Sequence, residues 1–103
     1  MKNNLKFNVH PGRILKELYL DELKISAYRL SKETGIPESL LSNIVNCKKD
    51  ITAKTSIILG KFFNLHDEFF LKLQNSFNIR KEKSKLKDKL KKIKNYKELG
   101  IAI

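Results

Sequence analysis

The sequence predicts an all-α protein, with five helices in residues 1–78 and a lysine-rich extension, residues 79–103, that can form a further helix. Three observations lead there. Apolar residues recur at three- and four-residue spacing, as one buried stripe of a helix requires. Residues that start and stop helices, such as His10-Pro11, Ser26, Gly35, Pro37 and Thr52, punctuate those stripes. From Ile79 on the composition turns strongly to lysine.

In chain order, residues 1–9 show no period and read as an arm or a short extended segment. His10-Pro11-Gly12 opens the first helix, with proline in the first turn and Ile14, Leu15, Leu18, Tyr19 and Leu23 at helical spacing. With no second ligand nearby, His10 is expected to cap this helix or face solvent. Ser26 is placed to N-cap the second helix, whose inward residues are Ala27, Leu30, Ser31 and Thr34. Gly35 supplies the left-handed backbone of a tight turn, and Pro37 suits a new helix start. The third helix, Glu38 to Asn46, turns Leu41 and Ile44 inward and Ser39, Leu40, Ser42, Asn43 and Asn46 outward. That outer face is short of charge and rich in small hydrogen-bonding groups, as a helix approaching base edges must be. Residues 26–46 therefore read as a helix-turn-helix; the plain alternative is a helical hairpin whose polar face is merely solvated.

Thr52 is a good N-cap for a fourth helix, Ala53 to Phe63, with Ala53, Ser56, Ile57, Gly60 and Phe63 on one face. Gly60 costs a helix interior roughly 1 kcal/mol against alanine, which points to close approach of another helix. His66 stands where the cap of a fifth helix belongs, and Asp67-Glu68 complement the positive end of its dipole. Phe69, Phe70, Leu73 and Phe77 follow, with Leu71 on another side, more apolar surface than one face of a small domain normally buries; it reads either as core or, in part, as a subunit contact. In the extension, Ser84 to Leu99 can form a helix with Leu86, Leu90, Ile93 and Tyr96 on a narrow stripe, ended by Gly100. Such a basic amphipathic segment can lie on a membrane, bind an acidic groove, embrace DNA or remain a solvated tail.

Composition narrows the function classes. One cysteine excludes an internal disulfide framework and fits a reducing cytoplasm, and it makes no metal-ligand spacing with the two histidines. Paired carboxylates in an apolar setting, a nucleophile with its base and a phosphate-cradling glycine loop are all missing, so neither an enzyme nor a cofactor is expected. No run of about 18 apolar residues offers a membrane span. The net charge of +11 is uneven: residues 1–78 hold 12 basic and 8 acidic side chains, residues 79–103 hold 10 and 3. A chain this basic is drawn to polyanions, and charge alone does not choose among DNA, RNA and anionic membrane.

The spaced segments His10-Pro11-Gly12-x-Ile14-Leu15, Ile25-Ser26-x-Tyr28-Arg29-Leu30, Gly35-Ile36-Pro37, Ile44-Val45-Asn46 and Ile51-Thr52-Ala53-x-Thr55 resemble the HigA family of antitoxins, in the Xre/Cro-like helix-turn-helix group. Phe62-Phe63 and Glu68-Phe69-Phe70-Leu71-x-Leu73-Gln74 extend the likeness, which runs from about Val9 to Ile79 and leaves the lysine-rich tail uncovered. The resemblance implies an all-helical homodimer that binds the operator of its own toxin–antitoxin operon. It also implies neutralisation of a HigB-like toxin, an mRNA-cleaving RNase of the RelE-like type. Three positions depart from the family pattern. Ala27 stands where glutamine often contacts a phosphate, Leu40 where arginine is frequent, and Cys47 where glycine caps the third helix. The family's operator preference is therefore not carried over, and the left-handed cap falls to a costlier residue.

On this reading the third helix enters the major groove and the second crosses the backbone. Asn43 is the expected base reader, pairing with adenine. Ser39 and Ser42 read bases or hold phosphates, Leu40 meets a thymine methyl, and Lys48, Lys49 and Tyr28 contact the backbone. Ile58, Phe69 and Phe70 are the candidate dimer contacts, placing two third helices on an inverted repeat of double-stranded DNA. A stand-alone phage- or plasmid-type repressor shares every DNA expectation and lacks only the toxin.

Overall fold

The structure, a computed structural model, describes residues 8–102, so most of the expected N-terminal arm lies outside the described residues. Six helices follow one another with no strand among the described residues. Helix α1 (residues 11–23) joins Pro11–Ile14 and Asp21–Leu23 through a wider, π-helical segment, Leu15–Leu20. Then come α2 (Ala27–Thr34), α3 (Glu38–Val45), α4 (Ala53–Phe63), α5 (Phe69–Lys85) and the short α6 (Lys87–Lys91). Helix α5 thus runs without a break across residues 78 and 79. No helix among the described residues is long and apolar enough to cross a membrane.

The π segment changes which side of α1 meets the core. A helix with i→i+5 hydrogen bonds brings residues five apart onto one face. Leu15 and Leu20 are accordingly the two buried leucines, while Leu18 and Leu23 stand 61% and 57% exposed. The expected stripe, drawn at 3.6 residues per turn, keeps Leu15 and Tyr19, wrongly includes Leu18 and Leu23, and misses Leu20.

Around those two leucines the core gathers Leu30, Ile36, Leu41, Ile44, Ile51, Leu59 and Phe70. The inward residues expected of α2 and α3 are thus in place. Gly35 adopts φ +80° and closes α2, its N–H donating to the Ser31 carbonyl at 2.8 Å. Nothing would crowd a side chain there, so the backbone angle alone selects glycine. The Ser31 hydroxyl donates to the Ile36 carbonyl at 2.6 Å and fastens the turn.

Thr52 caps α4 as expected. Its buried side is Thr55, Ser56, Leu59 and Gly60, whereas Ala53 and Ile57 face solvent. Gly60 faces the backbone of Leu65 and His66, so the close approach inferred from it is made by the returning loop and not by another helix. Asn64, at φ +61°, turns the chain back over that glycine. His66 does not cap α5 through its side chain; its carbonyl accepts from Phe69 N–H at 3.0 Å. The buried Ser56 hydroxyl donates to the Asp67 carbonyl and accepts from Leu71 N–H, so a residue of α4 satisfies the first turn of α5.

Phe70 corrects the list of dimer candidates. It is 0% exposed and packs against Tyr19, Phe63 and Phe69 with ring centroids 5.1 to 6.1 Å apart, which leaves no surface for a second subunit. Ile58 and Phe69 are half-buried.

In the extension, the single helix expected from Ser84 to Leu99 is broken. Helix α5 ends at Lys85, α6 ends at Lys91, and residues 93–95 are not helical. Lysines four apart (85 and 89, 87 and 91) repel along one face and weaken a continuous helix. A separate turn forms over residues 96–100, where Asn95 and Glu98 cap each other reciprocally and Gly100 closes it.

Candidate nucleic-acid interface

The outward side of α3 is where the local sequence allows nothing else to pack. Leu41 and Ile44 are fully buried, which turns Ser39, Ser42 and Asn46 to solvent and leaves Leu40 and Asn43 at the margin. The backbone carbonyl of Asn43 accepts from Lys48 N–H at 2.8 Å and from Lys49 N–H at 3.2 Å. Its side-chain amide makes no hydrogen bond among the described residues, so both its donor and its acceptor remain for a ligand. Leu40 packs partly against the core, so its outer edge alone faces outward.

Cys47 takes φ +63°, the left-handed position that glycine would fill. Cys47 N–H donates to Ile44 and Lys48 N–H to Asn43, which closes α3 in a Schellman arrangement and sets the exposed Lys48 and Lys49 just beyond its end. The substitution expected from the sequence to be costly is therefore present and strained. Cys47→Gly is expected to raise stability by about 1 kcal/mol, a rise of several degrees in thermal midpoint followed by circular dichroism.

Tyr28, 55% exposed, stands near the start of α2 with the Lys32 ammonium 5.2 Å from its ring centre. Lys32 was not singled out from the sequence; its i, i+4 spacing from Tyr28 was the available signal. A polar groove at the end of α3 adds two more cations. It is lined by Arg13 of α1, by Cys47, Lys48 and Asp50, and by Phe77 and Lys81 of α5. No local pattern joins residues so far apart in the chain.

His10 closes one wall of that groove. It is buried, not solvent-facing, and it caps α1 by accepting Gly12 N–H at Nδ1 (2.9 Å). The ring proton therefore sits on Nε2, which points to Asp50 Oδ1 at 3.5 Å. Phe77 packs edge-on against the ring at 4.9 Å.

Two helices crossed at Gly35, with a bundle behind them and a polar outer face on the second, define the Xre/Cro-like helix-turn-helix class. No family model matches the chain. It is 34% identical over 86 residues to virulence-associated protein A of Dichelobacter nodosus, covering 82% of this chain and 84% of that one. An addiction module antidote protein of the HigA family from Coxiella burnetii superposes with a TM-score of 0.79 and 37% identity, over 86% of this chain and 98% of that chain. The Pseudomonas aeruginosa protein PA4674, in complex with its operator DNA, gives a TM-score of 0.81 at 25% identity, over 84% and 93% of the two chains. The chain belongs to the HigA family of helix-turn-helix antitoxins.

Proposed function

We propose that this chain is an antitoxin and transcriptional autorepressor, not an enzyme, which binds its own operator as a homodimer and neutralises a HigB-like, mRNA-cleaving toxin by forming a complex with it. The observation that carries the DNA reading is the outer face of α3. Exposed Ser39 and Ser42 face outward beside the half-buried Asn43, whose side-chain amide is unpaired among the described residues, with Lys48 and Lys49 at the helix end, in a fold shared with a relative solved on its operator. Asn43 reads adenine, Ser39 and Ser42 contact bases or phosphates, Leu40 offers its outer edge to a thymine methyl, and Tyr28, Lys48 and Lys49 hold the backbone. Glu38, exposed at the start of α3, accepts from a cytosine amino group or else repels phosphate.

Two such helices, one duplex turn or roughly 34 Å apart, match an inverted repeat. Ile58 and Phe69 stay as dimer contacts. Exposed Ile57 and Phe62 join Ile58 on a shallow apolar groove edged by Glu33 and Lys61.

The toxin half rests on family membership. The test is to express the reading frame beside this one in bacteria, with and without this protein. Growth arrest relieved by this protein, together with a copurifying complex, supports the antitoxin; no arrest and no complex leaves a stand-alone repressor.

A further inference from the structure

We infer that the C-terminal half of α5 is a second phosphate-contacting element, carrying the DNA-binding surface from Lys48 across to Lys81 and Lys85; the inference rests on the operator-binding reading above. Helix α5 packs on the core through Phe70, Leu73, Gln74, Phe77 and Asn78. Lys81 and then Lys85 continue that stripe at helical spacing, on the side of α5 that faced the core, just where the helix leaves the body. Lys81 lines one groove with Lys48 and Arg13, directly beside the Cys47 cap of α3.

The direction of α5 is fixed at that point. Gln74 Oε1 accepts Ile51 N–H at 2.7 Å, Asn8 Nδ2 donates to the Phe77 carbonyl at 2.8 Å, and Arg80 Nε donates to Asn8 Oδ1 at 2.7 Å. The groove holds three cations against one carboxylate, Asp50, which faces the His10 imidazole. Arg13 is also paired with Glu17 at 3.0 Å, so Lys48 and Lys81 are its principal free charges among the described residues. Beyond the groove, and apart from Lys81 itself, residues 79–103 add 9 basic side chains against 3 acidic.

DNA fits this surface better than a membrane does. An interfacial helix needs one continuous apolar side. Here the helix breaks after Lys85 and again after Lys91, so Leu86, Leu90, Ile93 and Tyr96 do not lie along one continuous helix. Phosphates repeated along a duplex ask only for spaced cations.

The test measures full-length protein binding, over a range of salt, to duplexes tiled across the DNA upstream of its own reading frame and to a scrambled duplex. The double variant Lys81→Gln/Lys85→Gln is compared with Lys54→Gln/Lys72→Gln, which removes equal charge elsewhere. The expected result is a log–log salt slope flatter by about two units and affinity lower by about tenfold for the first variant, on operator and scrambled duplex alike, with the second close to wild type. Equal slopes for the two variants, with wild-type operator binding intact, overturn this inference alone. No duplex binding by the wild type removes the operator reading and this inference together. Loss of binding to phosphatidylglycerol vesicles in the first variant, with duplex binding unchanged, would assign the lysines to a membrane instead.

Discussion

Gly12→Ala is expected to destabilise the protein by about 3 kcal/mol or more, the largest stability effect of adding a methyl group at any of its four glycines. Helix α1 crosses α3 with Gly12 against the backbone of Ile44, and a Cβ at Gly12 would overlap the Ile44 carbonyl oxygen. Neither neighbour can yield. Ile44 is fully buried and its carbonyl takes part in closing α3, by accepting Cys47 N–H at 2.9 Å. On the other side the new atom would stand 3.1 Å from His10 Nδ1, the very atom that caps α1 through Gly12 N–H. Relief therefore requires α1 and α3 to separate, which opens the core at Leu15 and Leu41 and displaces the outward face of α3. Urea unfolding followed by circular dichroism checks this. Gly35→Ala is the useful comparison, because nothing lies near Gly35 and only its φ of +80° resists a side chain. Its cost should be smaller, about 1–2 kcal/mol. Equal midpoints for Gly12→Ala and wild type would mean that α1 and α3 do not meet as described.

The contrast between these glycines shows which parts of the fold could be read from the chain. Local chemistry was legible. Ser26, Gly35 and Thr52 act on residues within a turn of themselves, and α2, α3 and α4 begin and end within a residue of where their caps and stripes put them. Structure that depends on distant residues was not. Nothing around Gly12 announces the Ile44 carbonyl, and nothing around Leu15 announces the π segment that exchanges Leu20 for Leu18 and Leu23. Phe69 and Phe70 look alike in sequence, yet only the second is enclosed by Tyr19 and Phe63. Gln74 belongs to a family-like segment, but nothing near it in the chain announces that it is buried to satisfy the Ile51 N–H. The outer face of α3 lies between these cases. Its composition was visible, and its exposure followed from the buried Leu41 and Ile44. The groove that joins Lys48 to Arg13 and Lys81 needed the tertiary fold.

Asn43→Ala is expected to remove about 1–3 kcal/mol of discrimination at one base pair of the operator, roughly 5- to 150-fold, while leaving the fold intact. The separation is possible because the structural duties of Asn43 belong to its backbone. Its carbonyl holds Lys48 and Lys49 N–H, and alanine keeps that carbonyl. The side-chain amide holds nothing else among the described residues, so unfolding free energy should change by no more than about 0.5 kcal/mol. Leu40 is a poorer probe, since truncating it also removes packing against the core. The informative partner is Lys48→Gln, which should weaken every duplex alike and flatten the salt slope by about one unit. Binding to a set of operator variants, each changed at one base pair, distinguishes the two. Asn43→Ala should reorder the set and Lys48→Gln should shift it uniformly. If the ranking survives Asn43→Ala, α3 does not present Asn43 to base edges and the docking is wrong, even if the protein still binds DNA. If Lys48→Gln reorders the set, Lys48 reaches into the groove, and the boundary between residues that read bases and residues that hold phosphates lies beyond the turn that Cys47 closes.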